Sequence, residues 1–218
     1  MKYKTCAFDF DYTLVDATSG IVESINFALN QVGLESANCE NIRKTVGMTL
    51  SNTLKELTGI SDRETTELFV SSFKHMADRV MADNTVLFTD TINVLSGIKR
   101  NGFNTAIVTS KFHYRIDEVL NKYGIADLVD YIIGFEDVVD AKPSPEGLQK
   151  VIKHFDNDTK SILYIGDSLI DANTAANAGV DFAAVTTGTT TKQEFSPFPH
   201  ICVADNLTAV MDIIGIAV

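Results

Sequence analysis

Asp9 and Asp11 stand one residue apart where the apolar run Cys6-Ala7-Phe8 gives out, and a small hydroxyl, Thr13, follows them. An isolated carboxylate is costly to desolvate, so two at the end of a buried run need neutralising. A divalent cation would do that with oxygen ligands. Side chains at alternate positions share one side of a strand. One of these acids can then attack an electrophile while the other moves a proton. A purely structural reading is also open, a strand-to-helix turn with Asp11 as a helix cap. Further along, Thr109-Ser110, Lys142 and Asp167 each follow an apolar run or its connecting loop. Each has a structural reading too: Thr109 or Ser110 as a cap, Lys142 as a solvated loop lysine, Gly166-Asp167-Ser168 as a turn. What separates these from chance is that strand after strand ends in a reactive group.

The elements that must position them alternate. Tyr3–Phe10 is rich in aromatic and β-favouring residues and reads as a buried strand. A helical region follows, with Ile21, Val22, Ile25, Ala28, Leu29 and Val32 at helical spacing and Gly33 ending the pattern. The segment 39–46 is short and polar. Thr49 or Ser51 caps a helix that Gly59 closes, and Ser61-Asp62-Arg63-Glu64 is a capping-box signature. The long helix behind it carries a stripe of Phe69, Phe73, Met76 and Val80, which we read as core. No strand pattern appears from Asp16 to about Val86. From Asp90 on, helices alternate with strands at 103–108, 131–135, 161–165, 182–185 and 201–204. That alternation implies a parallel sheet with right-handed crossovers. Ligands of such sheets sit at the carboxyl ends of strands, where strand order reverses.

Bulk composition narrows the function. The 218 residues are 45% hydrophobic and 22% charged, with a formal net charge of -11. Nucleic acid and anionic membrane surfaces demand clustered cations, so neither is expected as a partner. A small anionic substrate is compatible if the site carries its own cation. Cys6, Cys39 and Cys202 are scattered, which argues for buried, reduced thiols and a reducing compartment. Asp9 comes too soon for a signal peptide, and no apolar run is long enough to span a bilayer. A cytoplasmic protein is expected.

At this point the chain resembles the haloacid dehalogenase superfamily of phosphohydrolases. Asp9-Phe10-Asp11-Tyr12-Thr13-Leu14 resembles the first family motif, Ile107-Val108-Thr109 the second, Lys142-Pro143-Ser144-Pro145-Glu146 the third and Gly166-Asp167-Ser168-Leu169-Ile170-Asp171 the fourth. The helical insert falls just after the first motif, where the family's helical cap lies. The stretch 43–50 looks like the cap of phosphoglycolate-phosphatase-like members. One departure stands at Tyr12, where the family usually has glycine. If that position needs positive φ, tyrosine costs about 1–2 kcal/mol of strain. The intact neighbours favour the other reading, a ring that merely occupies space near the site mouth.

The resemblance implies an α/β protein: a Rossmann-like catalytic core of residues 1–15 and 87–218, with an inserted all-helical cap of residues 16–86. It implies Asp9 as nucleophile, Asp11 as acid and base, Thr109 and Ser110 on the phosphoryl oxygens, and Lys142 offsetting charge. Mg²⁺ would bind Asp9, Asp167 and the Asp11 carbonyl, with Asp171 behind them orienting Lys142 or a metal-bound water. Arg43, Thr45 and Met48 are cap candidates to face substrate, with Arg43 assigned to substrate binding. The expected reaction is phosphatase chemistry on a small phosphorylated metabolite, by a monomer or homodimer. A phosphosugar mutase, a pyrophosphatase and a non-catalytic phospho-ligand sensor are the alternatives. Dehalogenase chemistry has no use for carboxylates at Asp11 and Asp167. Phosphonatase chemistry is disfavoured by Asp11, although Lys44 and Lys55 lie in the insert.

Overall fold

The structure, a computed structural model, describes residues 2–216. Its centre is β1 (Thr5–Phe8), whose four residues are all buried. A strand buried on both faces reads as a continuous apolar run, which is why 6–8 shows no alternation. The extended stretch is shorter than 3–10, because from Asp9 the backbone bends into a tight turn. Leu14 and Val15 both donate to the Phe10 carbonyl there, at 2.9 and 3.2 Å.

The chain then runs through β2 (Val15–Asp16), α1 (Thr18–Gln31), α2 (Cys39–Arg43), α3 (Leu50–Thr58), α4 (Arg63–Val80) and β3 (Val86–Leu87). β2 and β3 form a small two-stranded sheet of their own. Next come α5 (Thr91–Arg100), β4 (Asn104–Val108), α6 (His113–Lys122), β5 (Tyr131–Ile133), α7 (Glu146–His154), β6 (Ile162–Gly166), α8 (Leu169–Ala178), β7 (Asp181–Val185), α9 (Lys192–Phe195), β8 (Cys202–Ala204) and α10 (Leu207–Ile214). Six strands form one sheet in the order β5-β4-β1-β6-β7-β8, and every pairing is parallel. The chain leaves β1 toward β4 and β5, then returns to β6 on the other flank. Strand order therefore reverses at β1. Phe8 registers with Ile107 on one side and Ile165 on the other. The residues just past these three strand ends are brought side by side.

The chain divides into two compact units, residues 1–15 with 87–218, and residues 16–86. The first packs Ala7, Val108, Leu148, Tyr164, Ala172, Ala175 and Phe182 into one apolar cluster about the sheet. The second is helical, and α1 and α4 carry most of its buried side chains, among them Ile25, Leu29, Phe69 and Phe73. No helix among the described residues is long and apolar enough to cross a membrane.

Several local expectations are corrected. Asp62, rather than Ser61, caps α4, its carboxylate accepting from Thr65 N at 2.9 Å. Ala77 completes the buried stripe of α4, while Met76 and Val80 are half-buried. The polar stretch after Ala37 contains a helix, α2, because Asn38 caps it from outside. Only Cys6 is a buried thiol: Cys39 is exposed and Cys202 half-buried. Tyr12 does have positive φ, +63°, and is 2% exposed. The turn needs the left-handed conformation because Tyr12 N must reach the Val15 carbonyl, at 2.7 Å.

Candidate active site

The site is assembled at the carboxyl ends of β4, β1 and β6. Asp9 follows β1 and donates its backbone N–H to the Ile165 carbonyl at 2.8 Å, which ties it to β6. Asp167 follows β6. One carboxylate oxygen each from Asp9, Asp167 and Asp171 lies within 4.8 Å of the others, and all three residues are buried. Two glycines make that convergence possible. A Cβ on Gly166 would stand 2.5 Å from Asp171 Cβ, and one on Gly188 would stand 1.9 Å from Asp167 Oδ2. Gly188 lies on the loop after β7, where the neighbouring Thr187 donates its hydroxyl to the Tyr12 carbonyl. This loop thus touches both the first turn and the Asp167 carboxylate.

Lys142 Nζ donates to Asp9 Oδ1 and Asp171 Oδ1, both at 2.7 Å, and to Tyr164 Oη at 3.2 Å. Asp171 serves a second purpose as part of a capping box at the start of α8. Its Oδ2 accepts from Ser168 N at 3.1 Å, and its own N–H donates to Ser168 Oγ at 3.2 Å. Both oxygens of Asp171 are therefore already accepting hydrogen bonds. Thr13 Oγ1 donates to Asp167 Oδ1 at 3.3 Å. Thr109 ends β4, is buried, and lines one small pocket with Ser110 and Lys142.

Electrostatics show the strain of crowding acids. Burial pushes the Asp9 carboxyl up to about 6; Lys142 works against this, and Asp171 and Asp11 add to it. Burial also raises Asp167 well above the ordinary carboxylate range, reinforced by Asp171 and Asp9. Burial alone would lower the Lys142 ammonium, but Asp171 and Asp9 outweigh it and hold the group above the usual lysine value.

The Asp11 carboxylate lies elsewhere. Lys111 Nζ donates to its Oδ1 at 3.0 Å and its Oδ2 at 3.1 Å. It is not one of the three converging acids. In the helical unit, Arg43 ends α2, half-buried, and Thr45 donates its hydroxyl to the Ile42 carbonyl at 2.8 Å. Spacing did not point to Lys111 or Tyr164. Lys111 does carry a faint signal, a lysine two residues past a strand-ending threonine. Tyr164 carries none, since an aromatic in a central strand reads as core.

The family described as haloacid dehalogenase-like hydrolase matches residues 6–185. A crystal structure of a haloacid dehalogenase-like hydrolase from Bacteroides fragilis superposes with a TM-score of 0.93 at 40% identity, covering 96% of this chain and all of that one. A phosphoglycolate phosphatase from Yersinia pseudotuberculosis is 27% identical, over 96% of this chain and 92% of its own. A pyrophosphatase, PpaX, from Bacillus cereus is 25% identical, over 85% of this chain and 84% of its own.

Proposed function

Because the chain belongs to the haloacid dehalogenase-like hydrolases, we propose that it is a Mg²⁺-dependent phosphatase that takes the phosphoryl group of a small phosphomonoester onto Asp9. The chain is a hydrolase of phosphate esters; the metal, the covalent step and the substrate are our reading. The observation that carries it is the convergence of Asp9, Asp167 and Asp171 about one point, with Lys142 at 2.7 Å from two of them.

A hard divalent cation suits this donor set. Its ligands would be carboxylate and carbonyl oxygens, as Mg²⁺ prefers. Four carboxylates, Asp9, Asp11, Asp167 and Asp171, face two ammonium groups, Lys111 and Lys142. The excess of two negative charges equals the charge of such an ion. Burial raises the carboxyls of Asp9 and Asp167 and the neighbouring acids add to it, a cost that a bound cation would offset. Asp9, Asp167 and the Asp11 carbonyl would hold Mg²⁺, with Asp171 fixing Lys142 behind them. Once bound, it would let a carboxylate and a phosphate approach each other.

The chain's own residues then divide the work. An Asp9 oxygen forms a bond to phosphorus as the ester oxygen leaves, and Asp11 gives that oxygen a proton. In the second half Asp11 takes a proton from water, which attacks phosphorus and frees Asp9. Lys142 holds Asp9 in place and offsets charge on the transferring group. Thr109 and the Ser110 backbone N–H take phosphoryl oxygens. The helical unit is the proposed cap that selects the leaving group, with Arg43 as a substrate contact. A cytoplasmic location and a soluble phosphorylated metabolite as partner complete the reading.

The test is turnover of p-nitrophenyl phosphate with Mg²⁺, followed by 2-phosphoglycolate, pyrophosphate and sugar phosphates. Steady hydrolysis to inorganic phosphate is expected. Pyrophosphate is included because of the PpaX relative. Rearranged sugar phosphate without phosphate release would replace the phosphatase by a mutase, and binding without turnover would leave a sensor. Asp11→Asn should release about one equivalent of nitrophenolate and stall with the phosphoryl group on Asp9, since proton transfer supplies about 10²–10⁴-fold per step. A phosphoryl group trapped on any other residue would remove Asp9 as nucleophile.

A further inference from the structure

We propose that Lys111 is a positioning residue for Asp11, and that it acts on the reaction only through that carboxylate. The inference rests on the phosphatase reading above. Lys111 is not a solvated lysine: its side chain is 5% exposed, and its ammonium sits 3.0 and 3.1 Å from the two oxygens of Asp11. Near-equal distances centre the charge on the carboxylate. That fixes the Asp11 side chain as well as neutralising it, because the carboxylate cannot turn away without losing one of the two bonds. The ammonium also lies 5.8 Å from the centre of the Phe10 ring.

The backbone that carries Lys111 is held at both ends. Its N–H donates to Thr109 Oγ1 at 3.3 Å, and its carbonyl accepts from Phe135 N at 2.9 Å. Lys111 therefore extends from β4, while Asp11 sits on the turn after β1. The pair spans adjacent strands. The two lysines of the site also divide three of its four acids between them. Lys142 takes Asp9 and Asp171, and Lys111 takes Asp11. An acid–base carboxylate must be aimed at the leaving oxygen, then at water in the same place. Displacement of about 1 Å from the productive geometry can cost about 10²-fold. Lys111 holds that aim.

The rival role is a clamp on the phosphoryl oxygens, and leaving-group dependence separates the two. p-Nitrophenolate departs without an acid; an alkoxide does not. Lys111→Met should lower kcat/KM for an alkyl phosphate about 10–100-fold more than it lowers kcat/KM for p-nitrophenyl phosphate, part of the proton-transfer contribution. With p-nitrophenyl phosphate the variant should accumulate phosphorylated Asp9, seen by mass spectrometry of quenched protein, because water activation also needs Asp11. In an Asp11→Asn background, Lys111→Met should add no further loss in the nitrophenolate burst rate. Lys111→Gln serves for the same comparison if the methionine variant does not fold. Equal losses on both substrates, a full additional loss in the Asp11→Asn background, or no loss on either substrate would overturn the proposal. A wild-type protein inactive with Mg²⁺ would remove the phosphatase reading and this inference with it. An active wild type with equal losses removes the inference alone.

Discussion

Asp9 is held by Lys142 at 2.7 Å and crowded by Asp171 and Asp11, and its burial decides the sign of its effect on stability. Its carboxyl titrates at about 6 in the fold, against 3.8 ordinarily. The folded protein thus binds this proton more tightly than the unfolded chain. The contribution of Asp9 to stability without a cation should be greatest below about pH 4, fall as pH rises toward 6, and level off above it. Asp9→Asn removes the charge, so above pH 6 it should stabilise the cation-free protein by up to about 3 kcal/mol. The same variant should lose most of the rise in melting temperature that Mg²⁺ gives the wild type. Thermal melts at pH 5 and 7.5, in EDTA and in Mg²⁺, test both. A variant less stable than wild type in EDTA at pH 7.5 would refute the account. Tyr12 offers a second test at this scale. Its φ of +63° puts a bulky residue where glycine is favoured. Tyr12→Ala and Tyr12→Gly both lose the buried ring, but only glycine also relieves the left-handed penalty. Tyr12→Gly should therefore be more stable than Tyr12→Ala by about 1 kcal/mol in urea titrations, the reverse of their order in an extended strand. Equal stabilities would show that the turn relaxes around alanine.

Among the elements, the loop after β7 supports the site without contributing a reactive group. Gly188 leaves Asp167 the space that a methyl group would take, since its Cβ would fall 1.9 Å from Oδ2. Gly188→Ala should displace the carboxylate and weaken Mg²⁺ binding about 10–100-fold, the usual scale for disturbing a ligand's support. Calorimetric titration with Mg²⁺ measures this, and unchanged affinity would mean that the loop moves instead. Nothing around Gly188 in the sequence announces this, because the contact depends on β7 pairing with β6. The same reason hides Lys111, whose partner Asp11 lies far off in the chain, and Tyr164, whose hydroxyl donates to the Val108 carbonyl of β4 as well as to nearby Asp171. What was legible depended on local physics. Apolar runs ending in Asp9, Thr109 and Asp167 mark strand ends, and Thr49 and Gly59 mark the two ends of α3. The short helix α9 has a local signature as well, the capping box of Thr191 and Glu194. It lacks the apolar period that identifies longer helices. The polar stretch that forms α2 lacks that period too, and its cues are the cap Asn38, Glu40 in the first turn and Arg43 in the last.

At the scale of the molecule, the chain passes twice between its two compact units, after Val15 and before Leu87. Those two residues belong to strands that pair with each other, β2 and β3. The chain therefore leaves and rejoins the sheet-bearing unit at neighbouring points. Every residue placed at the cation site, Asp9, Asp11, Asp167, Asp171 and Lys142, lies in that unit, as do Lys111, Thr109 and Tyr164. The unit also has its own apolar cluster around the sheet, which is what a domain needs to fold alone. Replacing residues 16–86 by a short Gly/Ser linker should leave a protein that melts cooperatively. It should still be stabilised by Mg²⁺, since no proposed ligand has been removed. Its chemistry should change in a defined way. Hydrolysis of p-nitrophenyl phosphate should persist at a lower rate, because Asp9, Asp11 and Lys142 remain. Preference among 2-phosphoglycolate, pyrophosphate and sugar phosphates should flatten, because the proposed selector is gone. A shortened protein that folds but no longer responds to Mg²⁺ would place part of the cation site in the helical unit. One that keeps the full-length order of preference would move substrate selection into the sheet-bearing unit, and Arg43 would then lose its proposed role.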